Sequence, residues 1–230
     1  MSEFGLALAA FLAAHAVPAA PRIRAPLVAR LGRRAYLAAY SGLSLVLLAW
    51  LVVAARRADT APLWQPEPWQ WYVPLAVMPA ALVLVVAGLL EPNPLSVALR
   101  IGDEPGPVTA ITRHPVLWGF LLWAASHIPP NGDRVSVILF GTMAAFSLLG
   151  LVRLDAKAKR RLGPERWLTL SRGTSAIPFV ALLAGRASFA PSRRSLLGYV
   201  AALALYAWFL AQGHALLIGP DPLASLRALG

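Results

Sequence analysis

Six long stretches of apolar residues dominate this sequence and decide what it can fold into. Each is of roughly the 17–25 residues that an α-helix needs to cross a hydrocarbon core about 30 Å thick. A helix satisfies every backbone hydrogen bond within its own segment, as lipid demands. The sequence therefore predicts an all-α, polytopic membrane helix bundle of about six transmembrane helices, built as one integral membrane domain over residues 1–230. The predicted spans lie at 4–20, 35–55, 73–90, 113–130, 134–152 and 196–219.

The composition supports this class and removes several kinds of site. Hydrophobic residues make up 58% of the chain and charged residues 13%, which is too few to cover a soluble domain of this size. The chain has no cysteine. Disulfides, thiolate metal sites, iron–sulfur clusters and covalent haem attachment through a C-x-x-C-H motif are therefore excluded. Any haem would be held noncovalently.

The basic residues predict the orientation in the membrane. Of the 21 Lys and Arg residues, most fall in loops that would share one side of the membrane: 22–34, 100–113 and 153–194. Lys and Arg accumulate on the cytoplasmic side, so both termini should face the periplasm of a bacterial inner membrane. The net charge of +11 then reflects contact with anionic lipid rather than with nucleic acid. Residues 153–172 should form a basic helix on the inner surface. The opposite side keeps Arg56, Arg57, Arg134 and Arg227.

Four histidines in or beside the predicted spans are the main candidates for a cofactor site. Each could simply hydrogen-bond a neighbouring helix, but together they favour a site, because polar groups within membranes are costly. His114 and His127 are about 20 Å apart along one helix, so they cannot bind one metal ion. Depth pairs His15 with His114 towards the cytoplasm and His127 with His214 towards the periplasm. Two histidines from facing helices can hold haem, whereas zinc or non-haem iron usually has further ligands.

Other marked residues have simpler interpretations. Trp118 is one helical turn from His114 and could pack over a bound ring or face lipid. The sequence Asn131-Gly132-Asp133 is typical of a turn. Gly42 in the second span indicates close helix packing.

The ordered motifs resemble the NnrU family from end to end. NnrU-type proteins are associated with nitrite and nitric oxide metabolism in denitrifying bacteria. The motifs are His15-Ala-Val-Pro18, Gly32-Arg-Arg-Ala-Tyr36, Thr112-Arg-His-Pro-Val-Leu-Trp-Gly-Phe120, Leu122-Trp-Ala-Ala-Ser-His127, Asn131-Gly-Asp133, Thr174-Ser-Ala-Ile-Pro-Phe179 and His214-Ala-Leu-Leu-Ile-Gly219.

That family includes the plant and cyanobacterial 15-cis-ζ-carotene isomerase, a haem b membrane enzyme. The resemblance implies that His15 and His127 ligate the iron, with His114, His214, Trp118 and Arg113 around the cofactor. The isomerase has a cysteine in the segment that here is Ala124-Ala125-Ser126, so thiolate ligation is lost. The implied partners are membrane lipid, haem, and a small gaseous or apolar polyene ligand.

A weaker resemblance links the chain to the isoprenylcysteine and phospholipid methyltransferases. The shared pieces are Arg113-His-Pro115, Asp155, Leu162-Gly163, Trp167 and Ile177-Pro178. This similarity implies that Arg113, His114 and Asp155 frame S-adenosylmethionine at the cytoplasmic face. Three alternatives thus remain at this point: a haem protein, isomerase-like or linked to nitrogen oxides; a methyltransferase-like protein; and a cofactor-free accessory protein.

Overall fold

All-helical structure is confirmed by the computed structural model, which describes residues 1–17 and 20–224. No strand is present in those ranges; one isolated bridge joins Pro62 and Asp133. Pro18 and Arg227, named in the sequence motifs and in the charge pattern, lie outside the described residues. The helices are α1 (Ser2–Ala16), α2 (Pro21–Arg57), α3 (Pro68–Leu90), α4 (Pro115–His127), α5 (Arg134–Leu162), α6 (Pro164–Ser171), α7 (Val180–Leu183), α8 (Arg193–Trp208) and α9 (His214–Leu217), with a 3₁₀ turn at Pro107–Ala110 and a π turn at Phe209–Gly213.

Four of the described helical segments are long and apolar enough to cross a membrane. The chain is therefore a helical membrane protein. The two remaining predicted spans correspond to shorter helices: α1 has 15 residues and α4 has 13. At 1.5 Å per residue, α4 is about 20 Å long, which is shorter than the hydrocarbon core. The four long segments are Arg22–Arg57, Pro68–Leu90, Arg134–Leu162 and Arg193–Leu217.

The described chain divides into two compact units. The first comprises Met1–Leu63 and Asp133–Leu139, and the second comprises Trp64–Gly132 and the chain from Phe140 onward. Each unit is described separately below.

In the first unit, α1 packs against α2. Proline at the first position starts α2, because a missing N–H costs nothing there. Gly32 has φ 75°, a conformation that other residues rarely adopt, and it breaks the helix into two pieces. The basic segment 22–34, predicted as a loop, is therefore largely the first piece of α2.

In the second unit, α3 packs against both α4 and α8. Small residues bring α3 and α4 into close contact. A Cβ atom added at Gly119 would lie 2.6 Å from the Ala81 carbonyl oxygen, and one at Gly88 would lie 2.8 Å from the Pro115 side chain. Neither position could carry a side chain without moving its neighbours.

At Gly42, in the first unit, the sequence indicated close packing, but an added Cβ there would meet nothing within 4 Å.

The predicted boundary between the fifth span and a separate surface helix is wrong. α5 continues without interruption from Arg134 to Leu162. Gly163, with φ 79°, then separates it from α6. The residues of 153–162 have good helix propensity, so the helix continues past the end of the apolar run until a residue with positive φ stops it. Segment 177–185 contains the four-residue helix α7.

Candidate functional site

A buried polar cluster forms in the second unit, where the chain between α3 and α4 meets α5. Ser96 belongs to the irregular segment after α3, His114 is the residue immediately before α4, and Asp155 lies in α5. Pro115 at the first position of α4 starts that helix and fixes His114 at its N-cap position. Residues separated by 18 and 41 positions are thereby brought together.

The cluster has the geometry of a hydrogen-bonded chain. Ser96 Oγ lies 2.8 Å from His114 Nδ1, and Asp155 Oδ1 lies 2.8 Å from His114 Nε2. Arg113 Nε lies 3.2 Å from the same carboxylate oxygen, an ion-pair contact without hydrogen-bond geometry. The Arg113 guanidinium also stacks over Trp167 at 5.4 Å. The His114 side chain is 0% exposed, whereas that of Asp155 is 26% exposed. Both ring nitrogens of His114 are therefore occupied by protein groups, and neither is left for iron.

Polar residues hold the segment around His114 in place. Asn93 donates to the Arg113 carbonyl at 3.0 Å, and Thr112 donates to the Ala176 carbonyl at 3.1 Å. Glu91 accepts from the Val108 amide at 2.7 Å and from the Tyr199 hydroxyl at 2.9 Å. Glu91, Asn93 and Thr112 are all buried. Buried polar groups that are paired in this way specify one arrangement of the backbone.

The other three histidines share a different pattern: each Nδ1 lies 2.7 Å from a backbone carbonyl oxygen. The carbonyls belong to Phe11 for His15, to Trp123 for His127, and to Pro220 for His214. A carbonyl can only accept a hydrogen bond, so Nδ1 carries the proton in each ring. The lone pair then resides on Nε2, which for all three rings makes no hydrogen bond within the part of the chain that the structure describes. This is the tautomer in which a histidine ligates a metal through Nε2.

The histidines fall in separate parts of the structure. His15 is in the first unit, and the other three are in the second. His127 packs against the rings of Trp123 and Phe140, at centroid distances of 5.9 Å and 5.1 Å, and those two rings also contact each other. His214 follows the π turn at Phe209–Gly213. No group of three or more His, Cys, Asp or Glu side chains that could hold a metal ion occurs among the described residues.

Trp118 and Arg113, the two other predicted site residues, have structural partners. Trp118 packs against the buried core of Leu84, Ala87 and Val108, and its indole N–H donates to the Ala176 carbonyl at 2.7 Å. Arg113 belongs to the His114 cluster. The structure therefore assembles Arg113, His114 and Asp155, the set that the methyltransferase resemblance selected.

Comparison with known proteins identifies the family. The family model described as NnrU protein matches residues 3–222, nearly the whole chain. The chain belongs to the NnrU family. Among curated relatives, the 15-cis-zeta-carotene isomerase of Zea mays is 26% identical over 67% of this chain and 44% of its own length. The chloroplastic isomerase of Arabidopsis thaliana is 29% identical over 68% of this chain and 44% of its own length. This NnrU-family chain thus spans less than half the length of the relatives it matches, and no solved structure matches it.

Sequence reasoning missed Ser96, and with it Asn93, Glu91 and Tyr199. A signal was present, since Glu91 and Asn93 follow directly on the apolar run 73–90 and polar groups at the end of a span are seldom incidental. The hydrogen-bond partners of these residues are distant in sequence, so a single sequence does not identify them.

Proposed function

We propose that this NnrU-family protein binds haem b noncovalently through histidine Nε2 atoms and uses it in an isomerase-like reaction on an apolar polyene within a bacterial inner membrane. The observation that carries the proposal is the hydrogen bonding of His15 and His127. In both rings a helix carbonyl four residues earlier accepts from Nδ1, which leaves Nε2 as the electron-pair donor. Imidazole in this form is a common axial ligand of haem.

The family resemblance implies His15 and His127 as the ligands. His214 has the same hydrogen-bonding pattern and would line the cofactor pocket. His114 differs, because Ser96 and Asp155 occupy both of its nitrogens. Its part would be to fix the start of α4, the helix that ends at His127.

Aromatic side chains around the two proposed ligands suit a flat, apolar cofactor. His15 packs 4.2 Å from the Phe11 ring and 5.8 Å from the Tyr40 ring. His127 packs against the rings of Trp123 and Phe140. These rings would exclude water from the ligating nitrogen and hold the imidazole planes in place.

Haem, when bound, would supply an iron centre that could change oxidation state and bind a small ligand. The protein would supply two neutral imidazoles as ligands and an apolar environment. It has no thiolate to offer, because it has no cysteine. Nitric oxide would be the natural small ligand, which is how the family's association with nitrogen-oxide metabolism would be accommodated. The curated relatives act on a carotene by their names, and a polyene of that class is the substrate proposed here.

An absorption spectrum of the detergent-purified protein tests the proposal. The protein is produced in haem-supplemented cells and measured oxidised and dithionite-reduced, with a pyridine haemochrome assay for stoichiometry. We expect a Soret band, sharp reduced α and β bands, and near one haem per chain. His127→Ala and His15→Ala should each remove the sharp bands.

Chemical rescue separates ligation from a merely structural role. Added imidazole should restore the bands in His127→Gly, because free imidazole can occupy the space that the side chain leaves. A folded wild-type protein with no Soret band despite ample haem would contradict the proposal. So would full haem content in both alanine variants.

A further inference from the structure

We infer that Ser96, His114 and Asp155 form a catalytic triad that cleaves an acyl ester of a membrane lipid, an activity separate from haem binding. The hydroxyl, the imidazole and the carboxylate form one hydrogen-bonded chain, with contacts of 2.8 Å on each side of the ring. Both distances are within the range at which a serine, a general base and an orienting acid act together. Three separate chain segments supply the three groups, as in other triads, which are recognised by geometry rather than by sequence order.

The groups around His114 determine which of its two ring nitrogens carries the proton. Arg113 pairs with the Asp155 carboxylate, and an ionised carboxylate can only accept hydrogen bonds. His114 Nε2 therefore carries the proton and donates it to Asp155. The lone pair of Nδ1 then faces Ser96 Oγ, as a general base requires. The two ring nitrogens have exchanged the roles that they have in the serine proteases, and the chemistry of the pair is the same.

Exposure decides which of the three groups meets a substrate. The His114 side chain is wholly buried, whereas Ser96 is half-buried and lies in an irregular segment. The residues next to it present apolar side chains outward: Val97 is 38% exposed, Leu99 66% and Ile101 73%. Apolar side chains exposed in this way on an irregular segment of a membrane protein would lie against lipid, which would bring a lipid acyl chain beside the serine.

The reaction requires no co-substrate other than water. Ser96 Oγ bonds to the ester carbonyl carbon while its proton passes to His114 Nδ1. The carbon–oxygen bond to the alcohol then breaks, and the alcohol leaves with that proton. Water attacks the acylated serine by the same route, which releases the fatty acid and restores the hydroxyl. Asp155 holds the imidazole and stabilises its transient positive charge.

A fluorophosphonate probe, which phosphonylates activated serines, tests the triad directly. The full-length protein in detergent is treated with the probe, and the adduct is located by peptide mass mapping. We expect a single adduct on Ser96. Ser96→Ala should remove it, and Asp155→Asn should slow labelling at least roughly tenfold, because the imidazole then adopts the wrong tautomer.

Ser171→Ala is the matched control. Ser171 is also half-buried, but its hydroxyl contacts only the Leu168 carbonyl at 3.5 Å among the described residues. This variant should label as the wild type does. Ser96→Ala removes one oxygen atom from a partly exposed side chain, so circular dichroism and gel filtration should show an unchanged fold.

Hydrolysis of a short-chain p-nitrophenyl ester gives a second readout. It should be measurable in the wild type, absent in Ser96→Ala and unchanged in Ser171→Ala. The inference is overturned if Ser96 stays unlabelled in folded protein, or if Asp155→Asn labels at the wild-type rate. Photo-crosslinking of radiolabelled S-adenosylmethionine at the cluster, without a serine adduct, would assign it to methyl transfer instead.

Discussion

The side chain of Asp133 is the main group that fixes the conformation of the turn before α5. Its carboxylate accepts from the Ser136 amide at 3.0 Å, the Ser136 hydroxyl at 2.6 Å and the Thr60 hydroxyl at 2.8 Å. The sequence predicted a turn here; the structure adds that Asp133 accepts from the first turn of α5 and holds the segment around Thr60. A carboxylate at this position satisfies helix N–H groups that would otherwise be unpaired.

Replacing Asp133 should lower stability in a pH-dependent way. Partial burial raises the pKa of Asp133, but the hydrogen bonds from Ser136, Thr60 and Val135 outweigh it, and the pKa lies below its ordinary value of 3.8. The stabilisation is therefore complete above that ordinary value and is lost as pH falls through the lower, folded-state value. Asp133→Ala should reduce the free energy of unfolding by about 1–2 kcal/mol at pH 7, and by less below pH 3.

Thermal unfolding in detergent, followed by circular dichroism at the two pH values, measures this difference. Asp59→Ala removes an exposed carboxylate from the loop that contains Thr60, the partner of Asp133, and should leave the melting temperature unchanged. Equal destabilisation by Asp133→Ala at both pH values would contradict the assignment.

Between elements, the contact of α3 with α4 depends on glycine. No side chain fits at Gly119, because Ala81 and Val85 of α3 fill the space. The contact aligns the two helices whose ends hold Glu91, His114 and His127.

Gly119→Ala should therefore destabilise the protein by about 1–3 kcal/mol, the usual cost of overpacking a tight contact. Gly141→Ala is the control, since Gly141 lies inside the helix α5 and a Cβ there would meet nothing within 4 Å. Alanine has the higher helix propensity, so Gly141→Ala should be neutral or slightly stabilising. Chemical unfolding of both variants in mixed micelles gives the comparison, and a Gly119→Ala protein as stable as the wild type would show that the helices can move apart freely.

At the scale of the whole molecule, the distribution of charge predicts how the chain lies in the membrane. Arg and Lys residues are concentrated in the first piece of α2, in the second half of α5 and in the segments after it, which would place those regions at the cytoplasmic face. The loop before α3 and both termini would then be periplasmic.

The absence of cysteine makes this topology simple to test. Single substitutions Asp59→Cys and Lys159→Cys are treated with a membrane-impermeant maleimide. In intact spheroplasts the reagent should label Asp59→Cys and leave Lys159→Cys unlabelled until the membrane is permeabilised. The reverse pattern would invert the proposed topology, and the unsubstituted protein gives the background.

The sequence by itself determined the class, the family and the approximate helices, because these properties depend on local composition and on ordered motifs. An apolar run is long enough to span lipid whatever its neighbours are, and the partner of Nδ1 in His15 and in His127 is a carbonyl of the same helix, four residues away. Helix ends such as Leu162 could not be predicted from the sequence, because the helix continues past the end of the apolar run.

Only the tertiary structure decided which groups His114 contacts. Its position suggested a cofactor contact, and the methyltransferase resemblance grouped it with Arg113 and Asp155, but nothing local indicated Ser96. A hydroxyl 18 residues earlier and a carboxylate 41 residues later meet the ring because the segment after α3, the start of α4 and the second half of α5 come together there. A side chain's local sequence limits what it can donate or accept, whereas its actual partner is set by the packing of segments far apart in the chain.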